Sequence, residues 1–390
     1  MTILDSALPD SALDSAAPPT AEVIAERLDR AFGTAHDRPA DETVFDRAGW
    51  DRLRSTGILG AAFDRSAGGS GLSHRECLPL LERLGRLNHD AGLSFAAVTT
   101  MASTAVALAR FGSAEQRASV LPEVVGGRLL AAHAITEEGS GSDALGMATR
   151  AVRDGDEFVL DGAKTFVTNG GLADVYVVYA RTSEVPGPLG ITAFLLPAGT
   201  PGFTVGRRLP TLGLSGSPLA ELSFEGCRIP ASSVVGRVGG GFLVLDHVME
   251  REILFSFAVN VGEMVRREAR VVQWCRDRVQ YGRTIGSNQA IAHKVVDMRI
   301  AADTARMWLQ AAADRLDAGV SATTEISIAK LVTSRGNLQS SLDALQIFGG
   351  RGYLSEHGIE RDLRDAVAGP IYSGTNEIQY NRVAAMIGLR

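Results

Sequence analysis

Beyond Gly239-Gly240-Gly241 the chain carries three long stretches, residues 242–280, 290–317 and 324–348, with helical periodicity and almost no proline or glycine. Apolar residues at three- and four-residue spacing give each stretch one face that must be covered. Consecutive helices of this length cover one another by packing side by side, so the spacing predicts a C-terminal four-helix bundle. The first part of the chain is also helical in pattern, at residues 21–32, 76–87, 105–111 and 114–125. Gly112-Ser113 separates the last two, and Gly68-Gly69-Ser70-Gly71 reads as a loop. Between the helical regions the rhythm changes. Residues 152–160, 175–180, 191–196, 203–207 and 219–224 are short, rich in β-branched and aromatic residues, and punctuated by Gly, Pro, Asp and Asn. That pattern predicts a small antiparallel β domain. The expected order is a leader at 1–20, an N-terminal helical domain at 21–132, a middle β domain at 133–237 and a helical bundle domain at 238–390. The fold class is α+β.

A chain of 390 residues, 45% hydrophobic and 22% charged, is long enough to bury cores of this number. Its net charge of -6 offers no electrostatic attraction to nucleic acid or to an anionic membrane, so neither is expected as a partner. Cys77, Cys227 and Cys275 are widely spaced, with no CxxC pair and no zinc spacing, and no metal site is expected. Reduced thiols in a cytoplasmic compartment are the simplest reading. The first twenty residues hold Asp5, Asp10 and Asp14 but no Lys or Arg, which fits neither a signal peptide nor a transit peptide. Their Ser, Ala, Pro and Asp content predicts a flexible leader. No apolar run approaches the ~20 residues of a membrane span.

Three segments carry chemistry. Ala134-Ile135-Thr136-Glu137-Glu138-Gly139-Ser140-Gly141-Ser142-Asp143 is rich in Gly, Ser and Thr, so it brings backbone N–H groups and hydroxyls close to a ligand. Gly162-Ala163-Lys164-Thr165-Phe166-Val167-Thr168-Asn169-Gly170-Gly171 is a strand running into a turn. Near the C-terminus stands Ile371-Tyr372-Ser373-Gly374-Thr375-Asn376-Glu377-Ile378-Gln379. Each alone is an ordinary loop or turn. In this order and spacing they resemble the flavin-contacting segments and the C-terminal signature of the acyl-CoA dehydrogenases. Residues 212–224, 278–289, 346–353 and Arg364-Asp365 extend the likeness over nearly the whole chain after the leader.

The resemblance implies FAD between the β domain and the C-terminal bundle. By position, Thr136 and Thr168 would hydrogen-bond the isoalloxazine ring, Phe166 would pack on it, and Ser142 would contact the flavin or the substrate's phosphate arm. Arg278, Tyr281 and Gln289 match positions that a neighbouring subunit uses for the FAD pyrophosphate and adenine. Gln346, Gly349 and Gly350 match a second pyrophosphate contact across that interface, and Thr375 and Glu377 would lie near the FAD. Guanidinium and glycine suit phosphate, the first by bidentate contact and the second by close backbone approach. Contacts that cross subunits imply a homo-oligomer, a dimer or a tetramer. Glu137 and Glu138, bordering the flavin loop, are expected as solvated loop carboxylates.

The family reaction takes a proton from the carbon α to a thioester while a hydride leaves the β carbon for flavin N5. Many members carry the catalytic Glu where this chain has Ser373, and a serine without an adjacent base cannot do that work. The N–H of Ser373 would still donate to the thioester carbonyl. Other members place the Glu near the start of the first long bundle helix, in a Glu-Arg pair. Glu250 precedes Arg251 here, as that pair expects, but ungapped counting from Gly262 or Gly282 puts Glu252 at the catalytic position. The two side chains lie ~200° apart around a helix, so only one meets the substrate. Glu252 is favoured, Glu250 is the alternative, and the plain reading is that both are structural carboxylates. The stretch 249–262 and the Ser373 motif also resemble the prolyl-carrier-protein dehydrogenases. The implied substrate is an acyl thioester of CoA or of a carrier protein, and the flavin passes its electrons to an electron-transfer flavoprotein or to O2. Relatives of this fold that act as monooxygenases or oxidases remain the alternative.

Overall fold

The structure is a computed structural model, and it describes residues 18–33, 44–185 and 187–389. Of the expected leader, residues 1–17 lie outside the described residues. Helix α1 (Ala21–Phe32) starts where the Thr20 hydroxyl accepts from the Val23 N–H. After α2 (Arg47–Ser55), α3 (His74–Leu87) opens with a capping box between Ser73 and Glu76. Helix α4 (Ala91–Thr99) continues through a π-helical stretch, Thr100–Ala105, into α5 (Val106–Phe111). This run of 21 residues is long and apolar enough to cross a membrane by length and composition, which the sequence reading did not anticipate. Here it is buried inside the fold, with 94% of its most apolar window covered. The single helix expected at 114–125 is two, α6 (Ala114–Ser119) and α7 (Leu121–Val125). Pro122 has no N–H to continue the ladder, and it sits in the first turn of the second helix instead.

The sheet has eight strands: β1 (Ala131–Ala134), β2 (Arg150–Asp154), β3 (Glu157–Thr168), β4 (Val175–Arg181), β5 (Ile191–Pro197), β6 (Phe203–Leu209), β7 (Leu219–Pro230) and β8 (Val234–Val235). Their spatial order is β6-β7-β3-β2-β4-β5-β8, with β1 added alongside β4. The sheet is mostly antiparallel, but β1 pairs with β4 in parallel. The strand expected at 152–160 is a hairpin, because Gly155 (φ +61) and Asp156 form a two-residue turn inside it. Ala131 and Ala132, expected to be helical, begin β1.

The first bundle helix, α8, runs from Gly241 to Asp277. A short hairpin of β9 (Val279–Gln280) and β10 (Arg283–Thr284) leads into α9 (Gln289–Asp317) and α10 (Thr323–Phe348). Two shorter helices, α11 (Ile359–Ala366) and α12 (Asn376–Met386), pack against α10. Helix α8 is held against α3 at a crossing made by glycines. A Cβ on Gly85 would stand 2.0 Å from the Val259 carbonyl oxygen, and one on Gly262 would stand 2.0 Å from that of Glu82. The N-terminal helices, one sheet face and the first half of α8 share a single apolar core, with Tyr179, Ile253 and Leu254 among its buried members. Helix α8 therefore presents its residues near 252 to the junction of all three regions.

Candidate active site

Glu252 lies on the α8 face that meets the C-terminal motif. The Ser373 hydroxyl donates to its Oε1 at 2.5 Å. Ser373 takes a left-handed backbone conformation (φ +54) followed by Gly374 (φ +77). A non-glycine residue pays for that geometry in strain, so it persists only where neighbours enforce it. Glu252 is half-buried by surface, yet protein crowds its carboxyl group. Desolvation raises its pKa above the usual carboxylate value, and the Ser373 hydrogen bond partly opposes the rise. Glu250 points elsewhere, and its carboxylate pairs with the Arg251 guanidinium at 2.8 Å. The ~200° separation expected from helix geometry is thus realised: one glutamate forms an ion pair and the other faces Ser373. Ile253, where the family's Glu-Arg pair would place arginine, is fully buried in the core.

The residue before Ser373 forms one wall. Tyr372 lies between Phe95 (ring centroids 4.7 Å apart) and Phe257 (5.3 Å), and its hydroxyl donates to Asn260 Oδ1 at 3.0 Å. Beyond it is a small cavity lined by Ser94, Val98, Ser256, Asn260 and Glu263. Burial pushes the Glu263 carboxyl up to about 7. A second pair had no motif to announce it. His133 on β1 and Tyr179 on β4 meet at 2.8 Å (His Nε2 to Tyr oxygen) on the sheet face toward α8. Burial holds His133 neutral, at about 3, and raises the Tyr179 phenol, which also feels the charge of Glu252. The available signal was a polar side chain at a buried strand position on each of two paired strands.

The residues expected to hold FAD fall into two groups. In the first, the Thr165 N–H donates to the Thr136 carbonyl at 2.8 Å, which ties the 134–143 loop to β3 beside Phe166 and Thr168. Phe166 stands at φ +53 in an irregular stretch of the β3–β7 pairing, and its ring is 60% exposed. Ser142 is exposed on the loop, next to Gly141, whose would-be Cβ meets no atom within 4 Å. The second group gathers at the far end of the bundle. Trp274 stacks on Phe348 (4.8 Å) and carries the Arg278 guanidinium at 5.9 Å over its ring. This brings the end of α8 next to Gln346, Gly349 and Gly350 at the end of α10. Tyr281, at φ +52, is fully exposed, and Gln289, Gln346, Gly349 and Gly350 are exposed as well. Thr375 and Glu377 stand apart from this far-end group, next to Ser373 at the Glu252 end: Thr375 caps α12 by accepting from the Ile378 N–H, and Glu377 follows it on the surface. An exposed aromatic ring in a strained turn and glycines facing open space suit a large flat cofactor with a phosphate arm, so both groups fit FAD.

Glu137 is the exception among the loop residues. It is not solvated: Lys164, itself buried, donates to its Oε1 at 2.7 Å, and the N–H groups of Ala148 and Thr149 donate to its carboxylate at 2.6 and 3.0 Å. The reason is the strand beside it, which places a buried ammonium where only a carboxylate compensates it.

Comparisons with known proteins identify the family. Residues 20–128, 132–227 and 239–388 match the family models described as the acyl-CoA dehydrogenase N-terminal, middle and C-terminal domains. An L-prolyl-[peptidyl-carrier protein] dehydrogenase of Pseudomonas fluorescens is 35% identical over 370 residues, 95% of this chain and 96% of that protein. A short-chain-specific acyl-CoA dehydrogenase of Megasphaera elsdenii is 36% identical over 338 residues, 86% and 88% of the two chains. The solved structure of PigA with FAD and proline superposes with a TM-score of 0.91 at 32% identity, covering 98% of this chain and all of that one. The chain belongs to the acyl-CoA dehydrogenase family. It is an FAD-dependent oxidoreductase.

Proposed function

We propose that this enzyme desaturates an acyl thioester between its α and β carbons, with Glu252 as the base. One observation carries the reading. Desolvation raises the pKa of both candidate glutamates, but Glu250 is paired with the Arg251 guanidinium, whereas Glu252 has no ion-pair partner among the described residues and is held by the Ser373 hydroxyl at 2.5 Å. A carboxylate kept from water and not neutralised by an ion pair is basic enough to take an activated α proton. The Ser373 N–H, at the same turn, is the donor for the thioester oxygen as it gains enolate character. FAD, when bound, supplies the acceptor for the β hydride. Thr136 and Thr168 would hold its ring by hydrogen bonds, and Phe166 would pack against it.

The Phe95–Tyr372–Phe257 stack forms an aromatic wall next to the Ser373–Glu252 contact. A prolyl group is the acyl group that the similarity to a protein named for prolyl-carrier-protein dehydrogenation supports. The shared recognition element is a phosphopantetheine thioester, whether on CoA or on a carrier protein. The test is an anaerobic titration of the FAD-loaded protein with acyl-CoA, prolyl-CoA and carrier-protein-bound prolyl or acyl thioesters, followed by flavin absorbance. Bleaching by a thioester is expected, and the pair that bleaches at lowest concentration names the carrier. Glu252→Gln should slow bleaching by about 10²–10⁴-fold, the range for loss of a general base, while Glu250→Gln retains it. Failure of every thioester, with O2 uptake driven by NAD(P)H, would transfer the protein to the oxygen-using relatives.

A further inference from the structure

Lys330 on α10 is a buried ammonium that the reaction scheme leaves without a role. Its Nζ donates to the Pro370 carbonyl at 3.1 Å and to Asn376 Oδ1 at 2.9 Å. These acceptors bracket Ser373 on both sides. The same Asn376 oxygen accepts from Ser334 Oγ at 3.1 Å, so α10 grips the C-terminal motif at two adjacent turns. One step further along, Ser327 Oγ donates to Gln379 Oε1 at 3.0 Å. The Gln379 amide in turn donates to the carbonyls of Ser373 and Gly374 at 3.4 and 3.3 Å. Lys330 also lies 5.9 Å over the ring of Phe257, which stacks on Tyr372.

A buried ammonium is costly unless its donors are used, and here two of its three go to the loop. That loop holds a serine in the left-handed region, a conformation it does not keep without support. We propose that Lys330 is a positioning residue for proton abstraction, fixing the 370–376 loop so that the Ser373 hydroxyl stays on Glu252. The inference rests on Glu252 being the base. Lys330 touches neither substrate nor flavin in this scheme. It acts through Asn376 and Pro370, on the group that holds the carboxylate.

Lys330→Met keeps the bulk of the side chain and removes both donors. In the FAD-loaded variant we expect the rate of flavin reduction at saturating thioester to fall about tenfold or more, the scale of a displaced reacting group. The thioester concentration for half-saturation should stay within about twofold, because phosphopantetheine contacts lie elsewhere. A second readout needs no substrate. The infrared carboxyl stretch of Glu252, assigned by difference against Glu252→Gln, should titrate at higher pH in Lys330→Met, because the Ser373 hydrogen bond that favours the ionised form is weakened. A folded Lys330→Met protein with wild-type reduction rate and wild-type Glu252 titration overturns the inference. If that variant fails to fold, Ser334→Ala decides. It removes one donor to Asn376 and should shift both readouts in the same direction by less, and no shift overturns the inference. An enzyme indifferent to Glu252→Gln instead refutes the base assignment, so the two failures are separable.

Discussion

A residue that takes a proton from carbon must be desolvated enough to be basic, yet free of a cation that would hold it ionised, and Glu252 satisfies both conditions. Its pKa is raised by burial, and the Ser373 hydroxyl opposes that rise. Removing that hydroxyl has a definite sign. In Ser373→Ala the ionised form loses its donor, the Glu252 pKa rises further, and the acid limb of the pH–rate profile moves to higher pH. An unmoved limb would mean that the 2.5 Å contact does not persist in the working enzyme. The same raised pKa has a consequence for stability. The folded chain binds the Glu252 proton more tightly than the unfolded chain, so this group's contribution is fully present below the unfolded value of 4.5 and is lost as pH rises through the raised folded value. Glu252→Gln should therefore raise the thermal midpoint at neutral pH while slowing flavin reduction, and the gain should vanish below the unfolded pKa. At this scale the candidate was legible in the sequence, because ungapped counting from Gly262 or Gly282 puts Glu252, not Glu250, at the position where other members of the family carry their glutamate. The Ser373 hydroxyl was not. Its meeting with Glu252 depends on how the C-terminal loop is held against α8, and no local pattern encodes that.

The flavin loop is anchored to β3 by one buried ion pair, which makes the loop and strand a single mechanical unit. Lys164 Nζ also donates to the Ile135 carbonyl at 3.0 Å, so it holds the loop at two points. Burial lowers the Lys164 pKa to about 8, while its charge lowers that of Glu137. The two effects oppose each other, and at neutral pH the pair is charged, because the carboxylate also keeps two backbone donors. Lys164→Met leaves Glu137 buried without its cation. The expected loss is toward the lower end of the about 3–5 kcal/mol seen when one partner of a buried pair is removed, since the backbone donors remain. The signature is a lower thermal midpoint together with faster FAD release, and Glu137→Gln combined with Lys164→Met should recover part of both. A variant that loses stability but keeps wild-type FAD release would make the pair structural only. The element pattern shows where sequence reading works. Long apolar periodicity placed α8, α9 and α10 within a few residues, and alternation with turn residues placed β4 to β7. The β2–β3 hairpin was missed because residues 152–160 were read as one strand, although the Asp154-Gly155-Asp156 turn residues divide it. Four residues of alanine and histidine carried no strand signal at β1, which exists because β4 offers it a parallel edge. Glu137 was misread as solvated because a loop composition says nothing about the strand behind it.

The two groups of FAD residues belong to opposite ends of the molecule. Glu252 and the end of α8 at Asp277 are 25 residues apart on one helix, which at 1.5 Å per residue is about 38 Å. Arg278, Tyr281 and Gln289 stand at that far end, while Thr136, Phe166 and Thr168 belong to the sheet that packs near Glu252. We propose that the two groups serve different flavins, each group completed by its counterpart from a second copy. The exposed surface agrees. Val296, Ile300 and Met307 lie uncovered along α9, and Tyr380, Met386, Ile387 and Leu389 lie uncovered at and beyond α12, an apolar display that a single copy leaves in water. The expectation is a homo-oligomer whose cofactor is clamped between chains. Light scattering should give a mass at a multiple of 41.2 kDa, and dilution below the assembly constant should release FAD in step with dissociation. Arg278→Ala should weaken FAD retention without altering the mass, because it removes a phosphate contact and no apolar surface. Replacing Ile300 and Met307 with glutamate should lower the mass and empty the flavin site together. A 41.2 kDa monomer that keeps one FAD per chain on dilution would require both groups of residues to be reassigned.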